Sequence, residues 1–194
     1  MTDSRATPQQ RRSAEKVAAI VGAARSVLVD GGELTTAVLA RRAGVAIGTV
    51  YRYFADVDAV LEAVLVEHAE AATAAVDAAL DALPPDADAR TAFHAVLDAH
   101  LALYRRRPEL TAILSDPALA ARHRGIEAVS DGAMAAVLAA RFDADLVRLT
   151  AAWRSVGAVL GTSLHARPAD RPALEADLRA LVDHHAARLR GHAP

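Results

Sequence analysis

Within the segment Thr36 to Ala55, TAVLARRAGVAIGTVYRYFA, the stretch Ile47 to Tyr53 sets two tyrosines, a threonine and an arginine beside Gly48. These hydroxyls and the guanidinium can hydrogen-bond to phosphate oxygens and to base edges. Ala40 stands four residues before Gly44, and Val50 follows that glycine by six. A helix-turn-helix needs this spacing: a small residue where two helices cross, a glycine that can take positive φ in the turn, and a branched apolar anchor in the second helix. The expected chemistry is therefore recognition of DNA.

The elements that would position these groups follow from the same residues. Thr36 is the expected N-cap of a helix through Ala43, with Val38, Leu39 and Ala43 turned inward. Gly44 breaks it and Val45 plugs the corner. A second helix from Ile47 to Phe54 buries Val50 and Phe54 and presents Ile47, Gly48, Thr49, Tyr51, Arg52 and Tyr53. Gly48 allows close approach to a groove. The competing reading is a helical corner in an ordinary all-α core. It requires the spacing, the glycine and the exposed polar aromatics to coincide by chance.

The run AVLARRAGVAIGTVYRYFADVDAVLEAVL resembles the DNA-binding segment of TetR-family transcriptional regulators, with its Ala-Gly-Val turn and a Gly-Thr-apolar-Tyr run closing in Phe. Ala14 to Val29, followed by Asp30-Gly31-Gly32, is similar to the first helix of that family and its glycine stop. The resemblance covers about residues 13–65 and implies that Thr36 and Tyr53 meet phosphates while Ile47, Thr49, Tyr51 and Arg52 face the major groove. Of these, Arg52 alone could make a bidentate guanine contact. The chain departs from the family pattern at Val57, where a lysine is common, and at Ala46, where a serine often caps the recognition helix.

Composition bounds the remainder. The 194 residues, 53% hydrophobic, suffice for a small head and a larger helical body, much of it alanine, which favours helix but adds little core volume. Net charge is −2 overall, yet residues 1–64 hold eight Arg and Lys against seven Asp and Glu. The head is thus about +1 on an acidic remainder, which orients it toward DNA. The absence of cysteine removes disulfides, thiolate nucleophiles and zinc-finger sites. The polar N-terminus lacks the apolar run of a signal peptide, and Ser155 to Leu164 is too short to span a bilayer, so a soluble cytoplasmic protein is expected.

The expected fold is all-α: a flexible basic arm over residues 1–12, a helix-turn-helix domain over 13–60, and a helical effector-binding and dimerisation domain over 61–194. In the arm, Arg5, Arg11 and Arg12 could reach a groove or simply be solvated. A helix opened by Asp56 carries Val60, Leu61, Val64, Leu65, His68, Val76 and Leu80 to a stop at Pro84-Pro85. Asp88 caps the next, and Arg105, Arg106 and Arg107 suit its C-terminal dipole. Asp116-Pro117 starts a helix carrying Ile126, Val129, Ala133, Val137 and Ala140. The helix Ala144 to Ala166 is apolar nearly all round, which asks for burial on two sides. Val156, Gly157, Leu160, Gly161 and Leu164, with Leu178, Leu181, Val182 and His185 of the last helix, are the expected homodimer interface, where the two glycines would permit a close crossing. Paired heads would give palindromic half-site spacing on a double-stranded DNA operator.

In TetR-family members such a body holds a small-molecule pocket. Here His68, Phe93, His100, Tyr104 and Trp153 are the candidate lining of a mostly apolar cavity for a small hydrophobic effector, whereas each polar one alone reads as a satisfied core group. His94 is expected to be solvated. The eight histidines, His68, His94, His100, His123, His165, His184, His185 and His192, include no i, i+4 pair, so no metal and no cofactor are expected. No nucleophile elbow, phosphate loop or paired catalytic motif is found, which disfavours an enzyme. An effector-independent DNA binder, or a helical small-molecule-binding protein, is the alternative to a ligand-responsive repressor.

Overall fold

The computed structural model describes residues 8–116, 119, 121, 135–136, 138–142, 144–164 and 166–189. Regular structure among the described residues is entirely helical. The chain divides into two units, Met1–Glu67 and His68–Pro194. The expected boundary at residue 60 and the division at Glu67 and His68 both fall inside one continuous helix, in which Val60, Leu61, Val64 and Leu65 are buried.

Unit 1 is built from α1 (Pro8–Val29), α2 (Thr36–Ala43), α3 (Ile47–Tyr53) and the first turns of α4 (Val57–Asp81). Residues 8–12, expected in a flexible arm, are the first turn of α1. Proline suits a first helical position, where the missing N–H would have no partner anyway and φ is preset. The Arg11–Glu15 ion pair at 3.4 Å, one turn apart, supports that start weakly. Two helices end in the same way. Gly31 and Gly44 both take φ +66°. Gly31 and Gly32 donate to the carbonyls of Leu28 (3.2 Å) and Val27 (3.0 Å), and Gly44 and Val45 to those of Arg41 (3.3 Å) and Ala40 (3.0 Å). Each pair closes a Schellman motif, for which the left-handed residue is required.

The cap of α2 is Thr35, not Thr36: its hydroxyl accepts from the Val38 N–H at 3.3 Å while its own backbone stays extended. Thr36 is the first helical residue, and twin threonines left the sequence pattern unable to choose between them. Ala46 gives α3 no side-chain cap. Asp56 caps α4, accepting from the Ala59 N–H at 2.8 Å. Ile20, Val21, Ala24, Val27 and Leu28 of α1 enclose Leu39, Ala40 and Val50, which are at most 2% exposed. Burying a leucine such as Leu39 contributes about 1.5–3 kcal/mol. Arg42 bridges Ser26 (2.7 Å) and Asp30 (2.5 Å), so it fastens α2 to the end of α1. Arg25 pairs with Glu67 at 3.1 Å.

Unit 2 holds the rest of α4 with α5 (Ala89–Arg106), α6 (Glu109–Ser115), α7 (Leu146–Leu164) and α8 (Arg171–Leu189). Asp88 caps α5 through the Thr91 N–H and hydroxyl. Phe93, Val96 and Leu97 of α5, Leu110 and Ile113 of α6, Leu149, Trp153 and Val156 of α7, and Leu178 and Val182 of α8 make the core. Polar rungs along α5 and α8 fix their antiparallel register: Arg90 with Asp183 (2.6 and 2.9 Å), Asp98 with Arg179 (2.6 Å), and Arg105 with Glu175 (2.5 Å). His94 is not solvated as expected. It joins the first rung, its Nε2 2.6 Å from Asp183 Oδ1. Arg141 donates to the Leu80 carbonyl at 3.1 Å, placing a cation at the C-terminus of α4. Of the residues expected on a helix after Asp116-Pro117, Ile126, Val129, Ala133 and Val137 lie outside the described residues. So do His123, His165, His192 and Arg5.

Candidate nucleic-acid interface

The buried side of α3 is a single residue, Val50 at 2% exposure. Every other side chain of this short helix is therefore free to point away from the core. Ile47 and Tyr51 are 50% and 57% exposed, an unusual degree for large apolar and aromatic groups. Gly48 lies between them on the same element, and a Cβ built there meets nothing within 4 Å. Nothing inside the chain explains a glycine at this position. Thr49 is half-buried, as is Thr36 at the start of α2.

Arg52 and Tyr53 do something different from their neighbours. The Arg52 guanidinium carbon sits 4.9 Å from the centre of the Tyr53 ring, and Nη2 donates to the Tyr53 hydroxyl at 3.3 Å. The two line a groove of about 370 Å³ whose other wall is α1: Gln9, Arg12, Ser13 and Lys16. Three cations and a phenol thus share one concave surface. A hydrogen bond with Ser13, then the positive charges of Arg52 and Lys16, hold the Tyr53 phenol below its ordinary range. Such a groove attracts anions and offers both neutral and charged donors to phosphate oxygens.

The α1 wall escaped the sequence pattern. Arg12 was assigned to a flexible arm, and Gln9, Ser13 and Lys16 carried no motif. Their signal is a helical one, since residues 9, 12, 13 and 16 recur at spacings of three and four and share a face. That face becomes visible only once the helix is known to begin at Pro8.

Residues 20–64 match the model of the bacterial regulatory proteins of the tetR family. The chain carries a TetR-family domain. Similar solved structures extend the likeness in fold to nearly the whole chain. A TetR-family transcriptional regulator from Streptomyces coelicolor aligns with a TM-score of 0.71 at 20% identity, over 90% of this chain and 99% of that one. A TetR transcriptional regulator from Rhodococcus sp. RHA1 aligns at 0.58 and 20% identity, over 95% and 100%. The TetR-family regulator PfmR from Thermus thermophilus aligns at 0.57 and 16% identity, over 98% and 100%. No curated protein matches the sequence. Over residues 20–64 the chain thus carries the DNA-binding domain of that family, and beyond it the likeness to TetR-family regulators is one of fold. No helix among the described residues is long and apolar enough to cross a membrane.

The TetR-like body places the five residues expected to line an effector cavity as two tilted ring pairs and a core phenylalanine. His68 and Tyr104 have ring centres 5.5 Å apart, and His100 and Trp153 4.8 Å. The His100 Nδ1–H donates to the Val96 carbonyl at 2.9 Å, and Phe93 is fully enclosed. Of the five, only Tyr104 reaches the cavity that unit 2 does contain. That cavity has a volume of about 200 Å³ and is walled by charged and polar groups as much as by apolar ones.

The expected dimer contacts divide. Val156, Leu160, Leu178 and Val182 are at most 2% exposed within the single chain, so they fill its own core and have no surface to offer a second copy. His185 bonds Ser155 of α7 at 2.8 Å, linking α7 to α8 inside one chain, and burial first, then the neighbouring His184 and Arg188 charges, lower its pKa. Gly157, Gly161 and Leu181 keep partial exposure. A Cβ at either glycine meets nothing within 4 Å, so neither marks a close crossing inside the chain. The side chain of Leu164 lies outside the described residues. No group of three or more potential metal ligands occurs among the described residues.

Proposed function

We propose that the protein is a homodimeric cytoplasmic repressor, without enzymatic activity, that holds a palindromic double-stranded DNA operator through unit 1 and lets go when a small molecule binds unit 2. The observation that carries the DNA half is the groove shared by Arg12, Lys16, Arg52 and Tyr53, beside the open face of Ile47, Gly48, Thr49 and Tyr51. The groove grips one phosphate run and sets the height of α3. The open face meets base edges, with Thr49 and Tyr51 as hydrogen-bonding groups and Ile47 as an apolar contact for a thymine methyl. Thr36, at the start of α2, adds a further phosphate contact.

The ligand half rests on the TetR-like fold of unit 2, on its cavity, and on a chain of contacts. Tyr104 lines the cavity and its ring packs at a tilt against His68, which belongs to α4. α4 is the helix that also supplies Val60, Leu61, Val64 and Leu65 to unit 1. An effector changes DNA affinity only by its differential affinity for the two states of the dimer, and α4 is the element through which that difference can pass.

Gel shift with the DNA upstream of the protein's own gene tests the DNA half. A discrete complex that survives competitor DNA, and that weakens when Arg12 and Lys16 are both replaced by alanine, is expected. A complex insensitive to that double replacement would remove the groove from the interface.

A further inference from the structure

The cavity of unit 2 is set among four helices, with Leu101, Tyr104 and Arg105 from α5, Pro108 and Thr111 from α6, Ser163 from α7, and Arg171 and Glu175 from α8. Its charged groups are not equivalent. Arg105 is committed to Glu175 at 2.5 Å, the third rung between α5 and α8. Arg171 makes no ion pair or hydrogen bond among the described residues. With two arginines and one carboxylate in its wall, the cavity carries one unbalanced positive charge. That charge belongs to a guanidinium, whose planar donor fork fits a carboxylate in bidentate fashion. In the same wall, Leu101 and Tyr104 are nearly fully buried and, with Pro108, supply apolar surface.

We propose that this cavity binds a small monocarboxylic acid, its carboxylate on Arg171 and its short apolar or aromatic body against Leu101, Tyr104 and Pro108. The inference rests on the reading of unit 2 as the effector-binding part. Size restricts the class further: about 200 Å³ lies below the ~300–1,000 Å³ of pockets that take drug-sized ligands. A single ring or a short chain fits and a polycyclic compound does not. Charge restricts it too. One free guanidinium neutralises a monoanion, whereas a phosphate monoester would leave a negative charge facing Glu175. Ligand contact with Tyr104 is also contact with the residue whose ring packs against His68, so the occupied site lies one ring away from α4.

Titration calorimetry of the full-length protein without DNA, with benzoate and its neutral isostere benzamide as probes, tests the assignment. Benzoate is expected to bind at least about tenfold more tightly than benzamide, because the amide gives up the charge-assisted pair with Arg171. This comparison needs no variant to fold. Arg171→Gln is expected to weaken benzoate by about tenfold or more while leaving benzamide unchanged, and Arg171→Lys to recover part of the loss as a point charge. Equal binding of the two probes, absence of binding by both, or an unchanged benzoate affinity in Arg171→Gln overturns the proposal. Tighter binding of phenyl phosphate than of benzoate overturns the monocarboxylate in favour of a dianion. Because DNA is absent from the measurement, failure here leaves the gel-shift result standing, and failure there leaves this one standing.

Discussion

Arg52 holds its guanidinium carbon 4.9 Å from the centre of the Tyr53 ring and lines a groove with Arg12 and Lys16. We propose for it, on that ground, a phosphate contact in place of the major-groove position that the resemblance implies. Arg52→Ala should therefore weaken binding to all sequences alike and reduce the salt slope of log K by about 1. Fluorescence anisotropy against an operator and its single-base variants at several salt concentrations measures both. A loss confined to one base pair per half-site would return Arg52 to base readout. Gly48 gives a complementary test. Its surroundings are open, so Gly48→Ala should keep the fold and even stabilise it by about 0.5–1 kcal/mol, since alanine is the better helix former. The same methyl group should obstruct approach to the groove and lower operator affinity. Thermal melts and binding curves on one preparation separate the two effects, and unchanged affinity would show that nothing comes close to Gly48. At this scale the exposed set on α3 was legible because Val50 alone anchors the helix. The partnership of Arg52 with α1 was not, since it depends on a contact between residues 36 or more positions apart.

Helix limits were legible wherever a special residue enforces them: Gly31 and Gly44 end α1 and α2, and Asp56 and Asp88 cap α4 and α5. They were misread where two candidates stood side by side, as at Thr35 and Thr36. Thr35→Ala should cost about 1 kcal/mol, the usual loss of a helix cap, and Thr36→Ala much less; urea denaturation of each variant distinguishes them. The assignment of α7 to a two-sided surface was half right in a physical sense. Its apolar girdle is real, but one chain already encloses Leu149, Trp153, Val156 and Leu160, leaving Leu146 and Val147 as the large apolar side chains exposed on that helix. The α5–α8 rungs were invisible in the sequence because they join residues 70 to 93 positions apart. Among them Asp183 is singular, with hydrogen bonds from Arg90 and then His94 holding its carboxyl far below the usual carboxylate range. A carboxyl lowered in the folded state stabilises fully above its unfolded pKa of about 3.9 and loses that contribution as pH falls through the lower folded value. Asp183→Asn should therefore lower the urea midpoint at pH 7 and shrink the stability difference between pH 7 and pH 3. A parallel shift of both midpoints would mean that the rung does not titrate with folding.

For the whole molecule, the predictions concern assembly and coupling. Since a Cβ at Gly161 meets nothing within 4 Å among the described residues, Gly161→Leu probes chiefly the effect of a second copy. The variant should retain the helical signal of the parent while its dimer weakens, as overpacking typically costs about 1–3 kcal/mol. Sedimentation showing an undiminished dimer would place this glycine away from the interface. His68, only 1% exposed, stands where α4 meets the cavity wall through Tyr104. His68→Leu should leave operator binding without ligand nearly intact and reduce ligand-driven release by about 1–3 kcal/mol of coupling. Release by the mutant at the parent's ligand concentration would make His68 an ordinary core residue. The two-part, all-helical architecture could be read from helical periodicity and the turn motif. The character of the cavity could not, because Arg171 and Glu175 look like any solvated helix start until α5 is laid beside them.

The left-handed turns at Gly31 and Gly44 restrict how this chain can drift. Space around both is open, so what excludes other residues is the backbone alone, at roughly 1–2 kcal/mol for a side chain forced into that conformation. Asparagine and aspartate are the tolerated replacements. One base change reaches aspartate from a GGT or GGC codon and asparagine from no glycine codon, and otherwise gives residues that the turn resists. Against a total stability of about 5–15 kcal/mol, losing both turns is a sizeable fraction. In a population of such genes, then, the two positions should vary between glycine and aspartate or not at all, and sequencing of a mutagenised, function-selected library would show it.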